Sequence, residues 1–382
     1  MKKLYLLLFF LFWQQTGYLQ DSLRLQYKGY VKNLQTMVFP GSNTVLLENL
    51  VHHRLDINWN ISRSLTMITG IRNRIFTGNL KALNPDFVSQ LQNSSDDFFP
   101  LSILWYNKGH SAIHTTFDRL FIEWNKEKWN IRIGRQRINW GINLAFNPND
   151  IFNAYNFLDF DYEERPGVDA ARVQYYYGSF SGLDLVIKGS DSLRGSAAAL
   201  KWFFNTGGYD FQIIGGFSQS DYTMGAGWAG NIKNVGWKGE MTYFIPVDKK
   251  VQNKTFVFTT GVDYTFGSGW YIYSGYLFSE KSITGQQNIL FRQGRLSARN
   301  LYPYEHNFLT QLSYQVSPIV SLSGAFIYSI HEEHPLVINP VVRINLSDRW
   351  DLDIIGQHFL PLAKSSKQED VSLIFLRIKM SY

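Results

Sequence analysis

Apolar and polar residues alternate along most of the chain. Residues two apart share one face of a β-strand, so each alternating segment has one apolar face and one polar face. The clearest segments are 255–266, 320–330, 337–346 and 371–382. A helical period is weak throughout, apart from a short candidate around 86–92. The pattern predicts an all-β chain.

The spacing of the alternating segments predicts about eighteen antiparallel strands, with sixteen as the alternative count. The strands are expected to begin near Leu23, Val45, Leu65, Thr115, Trp129, Val168, Leu183, Ala197, Tyr209, Tyr222, Val235, Thr255, Trp270, Asn307, Val320, Val337, Trp350 and Val371. Tight connections follow every even strand. Longer ones follow odd strands, notably 78–114, 141–167 and 280–306. Short turns on one rim and long loops on the other are typical of outer-membrane barrels.

A soluble β-sandwich or a lipocalin-like barrel is the alternative fold. A soluble sheet buries its apolar face in a core that is filled from two sides. Eighteen strands enclose a lumen too wide for side chains to fill, and the inward face here is polar. We therefore expect a transmembrane antiparallel β-barrel, with lipid outside and water inside.

The first 20 residues have the layout of a secretory signal peptide. Lys2 and Lys3 precede an apolar run over 4–13, and a more polar stretch follows. The run is far shorter than the roughly 20 residues that a membrane-spanning helix needs. We expect a signal peptide at 1–20 and one barrel domain at 21–382. The expected location is the outer membrane of a Gram-negative bacterium.

Composition agrees with surfaces that are apolar on one side only. Aromatic residues make up 16% of the chain, yet mean hydropathy is −0.18, and there is no cysteine. A disulfide scaffold and a thiolate metal site are therefore excluded. The net charge is +6, and +4 without Lys2 and Lys3. The basic residues are scattered singly, so nucleic acid is not expected as a partner.

Two local motifs resemble cofactor or metal sites. The stretch 225–230 matches G-x-G-x-x-G, but it lies within an alternating strand and not between a parallel strand and a helix. His331 and His334 flank two glutamates in an expected outer loop, and His52 and His53 point to opposite faces of one strand. We expect no cofactor and no metal.

The third long loop, 141–167, carries both aromatic and acidic residues. An apolar run covers 151–160, and the acidic residues include Asp150, Asp161, Glu163 and Glu164. Such a loop would be poorly soluble in open water. We expect it to fold into the barrel mouth, narrow the pore and place its carboxylates near the wall. An ordinary loop packed over the rim is the alternative.

The run 134–172 resembles the porin-like outer-membrane proteins of Bacteroidota. It is distantly similar to the alginate-export and DUF1302-type barrels, which share a Gly-Arg-Gln strand followed by a Trp-Gly and Asn-Pro loop. Here these are Gly134-Arg135-Gln136, Trp140-Gly141 and Asn147-Pro148. The resemblance implies an eighteen-stranded channel for small or oligomeric solutes and implies no particular substrate.

Assigning the apolar residues outward gives nine inward cations and six inward acids. The cations are Arg54, Arg72, Arg74, Arg119, Arg132, Arg172, Arg343, Arg377 and Lys379, and the acids are Glu48, Asp56, Glu123, Asp263, Asp351 and Asp353. Fixed charge of one sign selects permeants of the other. We expect a weak anion preference, with Arg119 and Arg132 as the wall facing the acidic loop and Glu123 and Arg172 as further constriction candidates. Charges that only pair across strands are the alternative.

The function expected from the sequence is passive passage of small hydrophilic solutes, anionic or oligomeric, and not enzymatic catalysis. A barrel enzyme is the alternative, for which Ser111, His114 and Asp118 lie loosely near one another. A scaffold or secretion-associated barrel is another. Expected partners are outer-membrane lipid, an unidentified solute and the barrel-insertion machinery, which would read the terminal aromatic residue Tyr382. The sequence does not indicate the oligomeric state.

Overall fold

The structure is a computed structural model of the chain. It describes residues 24–382 apart from 42–44, 80, 82–86, 88–90, 92–97, 155–156, 159–160, 162–164, 166, 193–194, 249–252, 281–296, 333 and 364–369. The expected signal peptide, Glu163 and Glu164 lie outside the described residues. None of the described residues belongs to a helix that is long and apolar enough to cross a membrane.

Strands account for most of the described chain. They are β1 Leu25–Phe39, β2 Leu46–Asn60, β3 Leu65–Gly78, β4 Ser102–Lys108, β5 Ser111–Lys126, β6 Trp129–Gln136, β7 Val168–Gly178, β8 Ser181–Lys188, β9 Ala197–Thr206, β10 Tyr209–Ser218, β11 Asp221–Ile232, β12 Val235–Pro246, β13 Thr255–Thr265, β14 Tyr271–Ser279, β15 His306–Ser317, β16 Val320–Ile330, β17 Pro335–Ser347, β18 Trp350–Pro361 and β19 Val371–Ser381. All pair antiparallel, and β1 pairs with β19. The result is a closed eighteen-stranded barrel, as predicted, to which β4 is added.

The connections alternate in length as the sequence predicts. Tight turns follow β2, β5, β7, β9, β11, β13, β15 and β17 on one rim, the turn rim. Glu127 and Lys233 have φ values of 52° and 56° in two of these turns, the left-handed conformation that two-residue hairpins require. The opposite rim, the loop rim, carries the long connections, although the one between β10 and β11 has only Gln219 and Ser220.

The two faces of the wall differ in the way that the alternation predicts. On β8, the exposed outward residues Leu183, Leu185 and Ile187 alternate with buried Asp184, Val186 and Lys188. An exposed apolar outer belt and a polar inner face are the surfaces that lipid and a water-containing lumen demand.

The wall beside β6 is completed by a strand that the sequence analysis missed. The connection expected at 78–114 contains β4, and β5 begins at Ser111 rather than at Thr115. β6 is short, and β4 pairs with the loop-rim half of β5 in the position that a longer β6 would occupy. The described part of the 86–92 segment, Phe87 and Leu91, is helical.

An ion pair between β6 and β7 holds the segment that leads into β4. Arg135 on β6 binds Asp169 on β7 at 2.8 Å. The Arg135 guanidinium also donates to the carbonyl oxygen of Phe99 at 2.6 Å, and the Phe99 N–H donates to Asp169 at 2.7 Å. Bidentate arginine–carboxylate pairs are strong and directional. The pair therefore closes the gap that forms where β6 ends early.

Candidate functional site

The chain leaves the barrel wall at Gln136 and turns into the lumen. The Gln136 side-chain amide is fully buried and donates to the carbonyl oxygen of Ala170 at 3.0 Å on the neighbouring strand. Two residues earlier, Gly134 has φ +123°, and a Cβ there would collide with the Leu120 carbonyl oxygen. The glycine therefore allows the distortion with which β6 ends. The segment that follows, 137–167, is called the lumen loop below.

Apolar residues of the lumen loop pack against the inner face of one half of the barrel. Trp140 is 1% exposed and meets the Phe152 ring edge-on at 4.9 Å. The loop residues in this cluster are Ile138, Trp140, Ala145, Phe146, Ile151, Phe152 and Leu158, and the strand residues include Val186, Ile214, Phe244, Val257, Tyr273 and Leu277. Full burial of such a side chain stabilises by about 1.5–3 kcal/mol. The loop is therefore packed as a core and does not hang freely.

Glu240 on β12 anchors the loop backbone. Its carboxylate accepts hydrogen bonds from the backbone N–H of Asn143 at 2.8 Å, of Asn149 at 3.0 Å and of Ile142. The side chain is fully buried. Hydrogen bonds to a charged group contribute about 1.5–3 kcal/mol each. One inward carboxylate thus holds both ends of the segment 142–149.

Two loop asparagines extend this anchor along neighbouring strands. The Asn143 amide donates to Thr259 on β13 at 2.9 Å and accepts from the Tyr273 hydroxyl on β14 at 2.7 Å. Asn149 accepts from the Thr242 hydroxyl at 2.7 Å. Both asparagines are buried with their polar atoms paired. These side-chain hydrogen bonds fix the position of the loop on β12 to β14, in addition to the backbone bonds to Glu240.

Arg172 lies under the loop and not on an open wall. It binds Asp184 on β8 through two nitrogens, at 2.6 and 2.9 Å. Asp184 also accepts from the indole N–H of Trp140 at 2.9 Å and is fully buried. Arg172, predicted as a constriction residue, therefore supports the loop through Asp184 and Trp140.

Asp150 is inside the loop's own packing. Its carboxylate accepts from the Trp140 backbone N–H at 3.4 Å and lies 3.5 Å from the Arg165 guanidinium. Burial raises the pKa of Asp150 from 3.8 to about 7, against the opposing effect of Arg165. The carboxyl is 1% exposed, so it does not face the open lumen.

The far end of the loop reaches the opposite part of the wall. The carbonyl oxygen of Leu158 accepts from the Gln357 amide on β18 at 2.6 Å. Asp161 binds Lys32 on β1 at 2.7 Å and lies 3.4 Å from Arg377 on β19. The loop thus bridges the lumen from β8–β14 to β18, β19 and β1.

Asp161 meets a wall of basic residues at this level. Successive inward positions on β19, β1, β2, β3 and β5 are Lys379, Lys32, His52, Arg74 and His114, each the cross-strand neighbour of the next. The adjacent row contains Arg54 and Arg72, which share Asp118 at 2.9 and 2.8 Å. We call Lys379, Lys32, His52, Arg74, His114, Arg54, Arg72 and Arg377 the basic wall.

The arginines expected to face the acidic loop have other contacts. Arg119 donates to the Arg165 carbonyl oxygen at 2.6 Å and so holds the loop backbone. Arg132 pairs with Glu123 at 2.7 Å, near the turn rim. The lumen-loop acid that the structure describes against the basic wall is Asp161, and the wall lies on β19, β1, β2, β3 and β5. Arg119 thus contacts the loop at Arg165, Arg132 pairs with Glu123, and the described contacts of Asp161 are with Lys32 and Arg377.

Exposure of the inward charges divides the lumen into two levels. At the loop level, the side chains of Lys32 and Asp184 are 0% exposed. Towards the turn rim, Arg343 is 53%, Asp351 30% and Arg132 28% exposed. Charged inward side chains are therefore solvent-exposed on the turn side and buried at the loop.

Three residues of the site, Lys32, Asp184 and Glu240, are absent from the inward charges predicted above, although all three occupy inward positions. Asp118, considered above only for a catalytic role, lies at a bulge in β5. The period-two pattern places Glu240 and Asp184 inward, so a list of every inward charge would have included them. The pattern does not indicate, however, which of these residues bind a loop that is distant in sequence.

Comparison with solved structures places the barrel among known porin structures. OccK8 (OprE) of Pseudomonas aeruginosa matches with a TM-score of 0.60 and 8% identity over 94% of this chain and 98% of that chain. The likeness is one of fold. OccK5 (OpdH) of the same organism gives a TM-score of 0.61 at 7% identity, with 94% and 98% covered. A BenF-like porin from Pseudomonas fluorescens Pf-5 gives 0.58 at 9%, with 94% and 99% covered.

No protein-family model and no curated protein sequence matches the chain. With identities below 10% to the solved porins, the shared feature is the closed barrel over nearly the full length of both chains.

Proposed function

We propose that the chain is an outer-membrane channel of a Gram-negative bacterium through which small hydrophilic solutes pass passively, with a preference for anions. The observation that carries the proposal is the lumen loop, which crosses the barrel and leaves Asp161 against the basic wall. Solvent-exposed charges on the turn side and an apolar outer belt support a water-containing pore in lipid.

The anion preference follows from the charges at the constriction. Seven cations (Lys32, Arg54, Arg72, Arg74, Arg119, Arg377 and Lys379) share this part of the described lumen with five acids (Glu48, Asp56, Asp118, Asp161 and Asp353). The imbalance is small, so the selectivity is modest. In a narrow passage with low-dielectric walls, even a small excess of fixed charge raises the local concentration of counter-ions.

A barrel enzyme is less well supported. Ser111 and His114 lie an odd number of residues apart on β5 and point to opposite faces, outward and inward. His114 accepts a hydrogen bond from Arg74 through Nδ1, and Asp118 binds Arg54 and Arg72. The described part of the chain therefore does not bring these three residues together as a nucleophile, base and acid.

The resemblance of 134–172 to Bacteroidota porin-like barrels remains part of this proposal. Two residues of this stretch have a physical role, since Arg135 binds Phe99 in the segment before β4 and Gln136 lies where the chain enters the lumen. The same barrel architecture is found in the Pseudomonas porins. The fold therefore supports a porin-like barrel in general, and the Bacteroidota group in particular is proposed from the residues of 134–172.

Liposome swelling tests the proposed function. Vesicles containing purified folded protein are placed in isotonic solutions of a neutral sugar, a small organic anion and a small organic cation of equal size. We expect swelling in all three, fastest with the anion. Swelling no faster than that of empty vesicles would contradict a channel, and faster entry of the cation would contradict the anion preference.

A further inference from the structure

The outward face of β1, β2 and β3 carries polar side chains in the middle of the strands. Asn33 and Gln35 lie on β1, Asn49 and His53 on β2, and Asn73 on β3. Asn33 is midway between the outward aromatic residues Tyr27 and Phe39 near the two ends of β1. Within the described strands, outward-facing amides occur on these three strands alone, whereas β8 to β10 present residues such as Leu185, Leu200 and Ile213.

These side chains form hydrogen bonds across the outer surface. Asn49 donates to Asn33 at 3.2 Å, and Asn73 and His53 lie 3.0 Å apart, Nδ2 to Nδ1. Thr115 on β5 donates to Asn73 at 2.7 Å and accepts from the Trp105 indole at 2.9 Å. We call Asn33, Gln35, Asn49, His53, Asn73 and Thr115 the outer polar strip. Each amide has two N–H donors and one acceptor oxygen, so these bonds use only part of its capacity.

We propose that a second copy of this chain docks on the outer polar strip to form a two-fold symmetric dimer. Hydrocarbon cannot satisfy the remaining donors and acceptors, and polar groups between membrane segments favour association. Amide groups can both donate and accept, so the strip is complementary to its own copy across a two-fold axis. The strip contains no carboxylate, lysine or arginine, so a charged partner would gain nothing from it.

A dimer follows from the number of strips. A cyclic trimer needs two different complementary surfaces, whereas a two-fold dimer uses the same surface twice. The described outer face has one strip of amides, on one side of the barrel. The dimer proposal rests on the membrane location proposed above and not on the channel activity. A protein that forms no channel could still dimerise, and a monomeric protein could still form a channel.

Single cysteines test the interface directly because the chain has none of its own. Gln35→Cys and Asn49→Cys are oxidised separately in native outer membranes, with Leu185→Cys on β8 as the control. We expect a disulfide-linked species of twice the monomer mass, identified by mass spectrometry, from at least one strip variant and none from the control. No dimer from either, equal dimer from the control, or a link to a different protein overturns the proposal.

A second variant separates docking from folding. Asn33→Leu with Asn49→Leu and Asn73→Leu removes three of the four amides of the strip, all except that of Gln35, and puts apolar groups of similar size in the belt. We expect the wild type to sediment as a dimer in mild detergent and the triple variant as a monomer that still shows heat-modifiable gel migration. A monomeric or trimeric wild type, or a triple variant that stays dimeric while folded, overturns the proposal.

Discussion

The hydroxyl oxygen of Tyr382 lies 2.9 Å from Nε2 of His53, and the two rings stack with centroids 6.4 Å apart. The Tyr382 ring covers Gly29 on β1, where an added Cβ would meet the phenol oxygen at 2.6 Å. The last residue of the chain therefore contacts β2 across β1, beside the seam where β1 and β19 close the barrel.

This contact gives a physical reason to expect that Tyr382 assists assembly. Deletion of Tyr382 is predicted to lower the amount of heat-modifiable barrel in outer-membrane fractions. Tyr382→Phe keeps the ring over Gly29 and loses the hydroxyl's hydrogen bonds with His53 and with the Arg54 carbonyl oxygen, each worth about 0.5–1.5 kcal/mol, so we expect a level between those of the deletion variant and the wild type. A deletion variant that inserts as well as the wild type would count against the role.

The basic wall is predicted to set ion selectivity. Lys32→Ala with Arg377→Ala removes the two partners of Asp161, and we expect the reversal potential in a salt gradient to shift towards cations. Arg132→Ala with Arg343→Ala is the matched control, since it removes the same charge on the turn side, where these side chains are 28% and 53% exposed. If the control variant shifts the reversal potential as much as the wall variant does, ion selectivity does not depend on whether the removed charges lie at the loop.

Loop docking is predicted to weaken as pH rises. The pKa of Asp150 is about 7 in the docked loop because of burial, against 3.8 when exposed, so the docked state binds more protons between these values. Its stability is therefore greatest at low pH and falls as pH rises to about 7. Arg165 at 3.5 Å limits the effect. We expect channel conductance to increase from pH 5 to 8, and Asp150→Asn to weaken that dependence; a variant with the wild-type profile would exclude Asp150 as a source.

The orientation of the two rims is open to labelling on intact cells. A cysteine placed at Asn93, in the connection between β3 and β4, is predicted to react with a membrane-impermeant maleimide. One placed at Ser268, in the turn between β13 and β14, is predicted not to react. The reverse pattern would show that the tight turns, and not the loops, face outward.

The architecture was largely predictable because alternation acts locally. The period of two predicted the eighteen strands other than β4, and the alternation of short and long connections predicted the two rims. The pattern did not predict β4 because Trp105 lies at a register shift between Leu104 and Tyr106, which breaks the alternation in an already short strand.

The site was predictable only in part because its pairings are distant in sequence. The aromatic content of the lumen loop led to an expected inward fold, but nothing local indicates that Glu240 accepts from Asn143, or that Asp161 reaches Lys32. Arg119 and Arg132 were chosen because they lie close to the loop in sequence. Barrel closure instead brings β19 and β1 to its far end.

Single-channel current across planar bilayers tests most directly whether the chain is a passive channel narrowed by the lumen loop. Glu240→Ala leaves three loop N–H groups without their acceptor, at about 1–3 kcal/mol per unsatisfied group, and so releases the loop. Glu305→Ala, at a half-exposed carboxylate on the loop rim, is the control. We predict stepwise current from the wild type, larger steps from Glu240→Ala and unchanged steps from Glu305→Ala. Folded wild-type protein that gives no current, or a Glu240→Ala variant with wild-type step size, would contradict the account.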